Sequence, residues 1–317
     1  MSFEEKRYSI TTTRIAGVLL LFLLLMMLRG AVGDILPIIT RDLSAASAEI
    51  ASELLQAILY ALCFLFPTWA FFHWPSFVSA APLDLTLRVP RRTMCYVFFG
   101  MAVISAAAFL NAMLVSVFHY GEFSSEVLWD NEVATNEQLV LMFISLVVVP
   151  AFVEELLFRG VIFSNLLPYG KGTAIIGSAV LFGLMHRNIE QILYATVAGV
   201  VLAWIYWRTR SIWVCVLTHF LNNFHSLFQR ALLSRAPGEM TDMMLYLIQG
   251  VLMFLGVWSG VLLFLDKQKC ENENDSAEYV LPVSSRVRLF FNVPMIIFVV
   301  WCVGNMLFLM MMSFLMY

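Results

Sequence analysis

The sequence contains little charge. Only 13% of its 317 residues are Asp, Glu, Lys or Arg, whereas a soluble domain carries about 25%. Apolar residues make up 61% of the chain, and the mean hydropathy is +0.84. These figures exclude a water-soluble globular protein. The net charge of −3 also argues against a nucleic-acid-binding protein, which needs a basic surface.

Clustered cysteines are absent as well. No two of the five share a C-x-x-C spacing, and four of them lie inside apolar runs. A disulfide framework or a zinc–thiolate site would need clustered spacing. We therefore expect free thiols that pack as small apolar side chains between helices. The five are Cys63, Cys95, Cys215, Cys270 and Cys302.

Long apolar runs dominate the chain. A helix needs about 20 apolar residues to cross a bilayer, and the runs show no β-barrel alternation. The sequence therefore predicts one integral membrane unit over residues 1–317, an all-α fold with eight or nine transmembrane helices. The lower number holds if the first run is a signal peptide, because Ala31-Val32-Gly33 resembles a cleavage site. The predicted spans are 14–33, 50–72, 93–118, 139–167, 173–188, 190–207, 211–234, 243–265 and 289–317.

The distribution of basic residues predicts the orientation. Thirteen of the 19 Lys and Arg residues fall in segments that face the cytoplasm if the N-terminus is inside, and five fall on the other side. Cytoplasmic loops are enriched in Lys and Arg. We therefore expect a cytoplasmic N-terminus. A compact chain without an organelle address favours a bacterial plasma membrane.

Two adjacent carboxylates lie in the middle of the fourth run, within the segment PAFVEELLFRG. Intramembrane acidic residues are costly and mark functional sites. Glu155 and Arg159 are four residues apart, which favours an ion pair on one helical face. Glu154 points about 100° away and has no partner in its own helix, which suits a general base. Pro150 leaves the Leu146 carbonyl without its helical partner and should kink the span.

Two further patterns follow on later runs. Phe182-x-x-x-His186 and His219-x-x-x-Asn223 each place two residues on one helical face. A single intramembrane histidine more often bonds a neighbouring helix than takes part in catalysis. However, Glu154, His186, His219 and Asn223 all lie roughly 12–20 Å from the predicted cytoplasmic ends of their helices. Their similar depth predicts one shared polar intramembrane cavity.

Together the three patterns resemble the CPBP family, which comprises the CAAX proteases and the Abi-type bacteriocin-processing proteins. The resemblance covers roughly residues 139–234, the predicted catalytic helices. It implies an intramembrane endopeptidase in which Glu154 activates a water, His186 holds that water, and His219 and Asn223 donate to the oxyanion. Glu155, Arg159 and Phe182 would provide structural support. The implied partners are the lipid bilayer and a membrane-associated or C-terminally modified peptide or protein.

Several questions stay open from the sequence. Glu154, His186 and His219 could instead bind a catalytic zinc, with water as the fourth ligand. A non-hydrolytic scaffold or bacteriocin-immunity protein could keep the same fold. A transporter could use the same cavity, although the inverted repeats typical of transporters are not visible. The substrate and the oligomeric state cannot be read from the residues.

Overall fold

A computed structural model describes residues 1–76, 78–117, 135–265 and 281–316. Within these ranges the chain forms helices and loops, and the all-α prediction is confirmed. The helices, labelled in chain order, are α1 Phe3–Ile39, α2 Ala45–His73, α3 Thr93–Val117, α4 Asn136–Tyr169, α5 Lys171–Met185, α6 Ile189–Thr209, α7 Ile212–Arg235, α8 Glu239–Phe264, α9 Val283–Phe290 and α10 Val293–Met316. Four of the five cysteines are free, and Cys270 lies outside the described residues.

Each of the nine predicted spans corresponds to one long helix, and the short helix α9 was not predicted. Seven of the described helices are long and apolar enough to cross a membrane. Helix α5 has only 15 residues, and α7 carries the histidines and asparagines that lower its hydropathy. The protein is therefore a multi-pass membrane protein, as the apolar runs predict. The residues of the alternative cleavage site lie inside α1.

Helix α4 lies at the centre of the molecule, between α2, α5 and α7. Every residue from Leu156 to Phe163 is buried, including Arg159, which is 1% exposed. The helix contains two π-helical stretches, Phe143–Val148 and Leu156–Phe163, on either side of the paired glutamates. Such bulges occur frequently at functional sites because they change the direction in which neighbouring side chains point.

A non-helical segment, residues 78–92, connects α2 to α3 and crosses the ends of α4 and α7. We call it the crossing segment. Leu83 lies directly against Gly160 of α4, where any Cβ would clash with it. Three hydrogen bonds fix the crossing segment to the two helices: Ala81 N to Asn165 Oδ1, Trp213 Nε1 to the Leu85 carbonyl, and Ser211 Oγ to the Arg88 carbonyl.

Candidate active site

The buried pair Glu155–Arg159 forms the centre of the site. Arg159 Nη1 donates to Glu155 Oε1 at 3.1 Å, and Arg159 Nε lies 3.1 Å from Oε2. This is the i, i+4 contact that the sequence predicts. The same Oε1 also accepts a hydrogen bond from His219 Nδ1 at 2.9 Å. Glu155 therefore orients a histidine on another helix, a role that spacing along the chain does not reveal.

The Phe182 ring joins the three sequence patterns. The Arg159 guanidinium carbon lies 4.9 Å from the ring centroid, which places the cation over the aromatic face. The imidazoles of His186 and His219 lie 5.0 and 6.0 Å from the same centroid, both edge-on. Arg159 Nη2 also donates to the Gly199 carbonyl at 3.2 Å. Phe182 thus contacts the Arg159 cation with one face and packs edge-on against both imidazoles.

His186 is not inside a helix, contrary to the predicted span 173–188. Helix α5 ends at Met185, and His186 is its C-cap. The helix stops there because Arg187 adopts a left-handed φ of 51°. His186 Nδ1 donates to the Phe182 carbonyl at 2.8 Å. Since a carbonyl only accepts, Nδ1 carries the proton and Nε2 is left available for a water or a substrate.

Asn223 is held by the carbonyl that Pro150 leaves free. Its Nδ2 donates to the Leu146 oxygen at 3.1 Å. In a regular helix that oxygen would accept from the N–H of residue 150, which proline lacks. The helix continues through this point, and the π-helical stretch Phe143–Val148 lies directly before Val149 and Pro150. The proline thus supplies an acceptor on α4 that anchors a candidate oxyanion donor on α7.

Glu154 has a partner that the sequence did not suggest. Tyr60 of α2 donates its hydroxyl to Glu154 Oε1 at 2.5 Å. Glu154 is only 3% exposed, and its Oε2 is buried without a hydrogen-bond partner among the described residues. The carboxylate therefore has one fixed oxygen and one free oxygen. An unpaired buried acceptor is costly and in a native structure calls for a functional or structural reason.

A second tyrosine, Tyr194 of α6, belongs to the polar network around Asn223. Its hydroxyl accepts a hydrogen bond from Asn222 Nδ2 at 2.8 Å. Asn222 Nδ2 also reaches Asn223 Oδ1 at 3.4 Å. Tyr60, Tyr194 and Asn222 are polar residues of the site that sequence reasoning missed. Of the three, Asn222 carries a sequence signal, as a second amide directly beside Asn223.

The three candidate zinc ligands Glu154, His186 and His219 are not arranged around a common point in the structure. Among the residues it describes, no group of three or more His, Cys, Asp and Glu side chains is placed to hold a metal ion. Glu154 is directed to Tyr60, and His219 is turned to Glu155. In the described part of the chain, no hydrogen bond joins Glu154 to His186, His219 or Asn223. As they stand, the three residues do not fit a zinc site.

The segment that contains this site is similar to a known family. Residues 136–225 match the family model described as "Type II CAAX prenyl endopeptidase Rce1-like". This segment resembles the CPBP family, and we refer to it as the CPBP domain. It covers less than a third of the chain and contains all three sequence patterns.

A curated protein resembles part of the chain. Over 86 residues the chain is 35% identical to the "Putative membrane peptidase YdiL" of Bacillus subtilis. The alignment covers 26% of this chain and 34% of that protein, so the chain spans about a third of the length of the relative it matches. No solved structure matches the chain. Tyr60 and the crossing segment lie outside the CPBP domain.

Proposed function

We propose that the protein is an intramembrane endopeptidase in which Glu154 activates the attacking water. One observation carries the proposal: Glu154 is buried, with Oε1 held by Tyr60 and Oε2 free. A general base needs an oxygen within reach of the water that no other donor occupies. The match of the CPBP domain to a prenyl endopeptidase model and the resemblance to a membrane peptidase support the same reaction class.

The reaction follows from these groups. A water bound near Oε2 attacks the scissile carbonyl carbon, and its proton passes to Oε2. The tetrahedral intermediate then collapses, the C–N bond breaks, and the proton moves from Oε2 to the departing amine. His186 Nε2 is the ring atom that can hold the water, since its Nδ1 is bonded to the Phe182 carbonyl. The scheme requires no covalent enzyme intermediate.

Two donors would stabilise the oxyanion. Asn223 is fixed by the Leu146 carbonyl, and His219 is fixed by Glu155. When Nδ1 of His219 donates to Glu155, a protonated imidazole can also donate from Nε2. Donors that are held in place before the reaction stabilise developing charge at little reorganisation cost. Glu155, Arg159 and Phe182 act by holding these groups.

The proposed substrate is a peptide or protein associated with the membrane or modified near its C-terminus. The site residues lie on or at the ends of helices of a multi-pass protein, and the CPBP domain matches a model for prenyl endopeptidases. Suitable probes are internally quenched peptides that end in a farnesylated cysteine and three further residues. The same peptide without the farnesyl group tests the need for the lipid.

The test is cleavage by the purified full chain in lipid nanodiscs. Glu154→Gln preserves shape and removes the base, so it should fold normally and be inactive. Asn223→Ala removes one oxyanion donor and should lower kcat by about 10²–10³. Glu137→Gln is the matched control, because Glu137 is an exposed glutamate on the same helix. It should cleave at the parent rate.

The outcomes separate the candidate functions. Full cleavage by a folded Glu154→Gln protein would refute hydrolysis at this residue. Cells that lack the gene could be complemented with the inactive Glu154→Gln protein. If this protein restores the function that the cells lost, the scaffold or immunity function is favoured. Substrate flux into vesicles without cleavage would favour a transporter.

The zinc hypothesis has a separate test. Metal content by mass spectrometry should be compared between the parent and His186→Ala, together with cleavage in the presence of a chelator. Stoichiometric zinc that is lost in the variant would show that His186 turns toward a metal in the membrane. Metal-free protein with unchanged cleavage would support the glutamate–water scheme.

A further inference from the structure

Tyr60 is held rigidly beside Glu154. Its ring packs against Phe64 of the same helix, with centroids 5.0 Å apart, and Phe64 is completely buried. From α1, the Arg29 guanidinium lies 5.3 Å from the Tyr60 ring centroid. Arg29 is itself fixed, because its Nε donates to the Gln56 carbonyl one turn before Tyr60. The ring therefore has little freedom to turn away from Glu154.

The hydrogen bond from Tyr60 has the geometry of a strong one. Its length of 2.5 Å falls in the range of hydroxyl donors to ionised carboxylates, about 2.5–2.7 Å. Such bonds are roughly twice as strong as those between neutral groups. The bond occupies one oxygen of the carboxylate and thereby fixes where the other one lies. Without it, the carboxylate could turn toward another donor.

Tyr60 belongs to α2, which lies outside the CPBP domain at residues 136–225. The domain therefore does not contain every group that contacts its buried carboxylate. Helix α2 packs directly against α4, so the contact is part of the helix packing. The position of Glu154 consequently depends on a helix for which the family match gives no information.

We propose that Tyr60 is a positioning residue for the hydrolysis proposed above, on which this inference rests. It holds Glu154 Oε1 so that Oε2 is the atom that receives the proton from water. Tyr60 keeps its own proton throughout the reaction and has no contact with the substrate. Arg29 and Phe64 fix its ring from two sides.

The first measurement separates kcat from KM for the farnesylated quenched peptide, with the full chain in nanodiscs. Tyr60→Phe keeps the ring and removes the donor. It should lower kcat about 10- to 100-fold, the equivalent of one hydrogen bond to a charged group, and leave KM within about twofold. Tyr206→Phe is the matched control, because Tyr206 is a buried tyrosine whose hydroxyl lies against Ser164. It should retain the parent kcat.

The second measurement does not depend on cleavage. Melting temperatures are compared for the parent, Tyr60→Phe, Glu154→Ala and the double variant. If Tyr60 holds Glu154, removal of the Tyr60 hydroxyl lowers the melting temperature only while the Glu154 carboxylate is present. The shifts of the two single variants will therefore not add up to the shift of the double variant. The same cycle with Tyr206→Phe in place of Tyr60→Phe should give additive shifts.

The kinetic and melting results each decide whether Tyr60 is a positioning residue. Parent-like kcat in Tyr60→Phe, or additive melting shifts for Tyr60 and Glu154, would overturn the role of Tyr60. A raised KM with unchanged kcat would overturn it as well, because it would show a contact with substrate instead of positioning. Absence of cleavage by the parent counts against the proposed function, whereas parent cleavage that persists in Tyr60→Phe counts against Tyr60 alone.

Discussion

Removal of the Arg159 side chain should destabilise the whole helical assembly. Arg159→Ala deletes the donor to Glu155 Oε1, the donor to the Gly199 carbonyl and the cation over the Phe182 ring. Glu155 is 0% exposed and would keep only His219 as a partner. Breaking a buried ion pair by removing one member costs about 3–5 kcal/mol. This is a large fraction of the roughly 5–15 kcal/mol that keeps a domain folded.

The assay is thermal unfolding of the purified protein in detergent. At about 2 °C per kcal/mol for a chain of this size, the melting temperature should fall by roughly 6–10 °C. Arg41→Ala is the matched control. Arg41 pairs with Asp42 at 3.7 Å, but both side chains are more than 70% exposed, and exposed pairs contribute little. Its melting temperature should stay within about 2 °C of the parent.

A double variant tests the physical reason for the loss. Glu155→Gln with Arg159→Met removes both charges and preserves approximate volume, and buried pairs can be replaced this way without great loss of stability. It should recover much of the melting temperature but not the cleavage, because the ionic partner of His219 is gone. Unchanged melting of Arg159→Ala would refute the reasoning.

Two further predictions follow from the backbone and from the charge distribution. Pro150→Ala restores an N–H that competes with Asn223 for the Leu146 carbonyl, so kcat should fall without loss of thermal stability. Pro67→Ala, within α2, is the control, and parent turnover in Pro150→Ala would contradict the anchoring of Asn223. Cys270, which lies outside the described residues, should resist a membrane-impermeant thiol reagent in intact cells and react after permeabilisation. Labelling of intact cells would contradict the cytoplasmic N-terminus.

Residues close together along the chain were the easiest to predict. The Glu155–Arg159 contact depends on helical spacing alone, and the freed Leu146 carbonyl depends on the chemistry of proline. The apolar runs located nine helices because each run follows from the cost of exposing backbone to lipid.

Contacts between distant helices could not be predicted. Tyr60 and Glu154 are 94 residues apart, and His219 and Glu155 are 64 apart. Tyrosine in an apolar run is compatible with packing, with an interfacial position or with a buried hydrogen bond, so Tyr60 gave no distinct signal. Apolar runs also do not reveal that α5 ends at Met185, before the left-handed Arg187.

The crossing segment has a consequence for biogenesis. Arg14 is buried, and its guanidinium donates to the carbonyls of Phe71 and Val78, so these polar contacts can form once the first two helices and the start of the crossing segment have been synthesised. The crossing segment, by contrast, contains backbone groups whose partners Asn165, Ser211 and Trp213 emerge from the ribosome much later. The N-terminal helices therefore insert before the backbone groups of the crossing segment have their hydrogen-bond partners. Because α4 and α7 can cover the crossing segment only after they have been synthesised, the interval before then leaves it open to quality-control proteases.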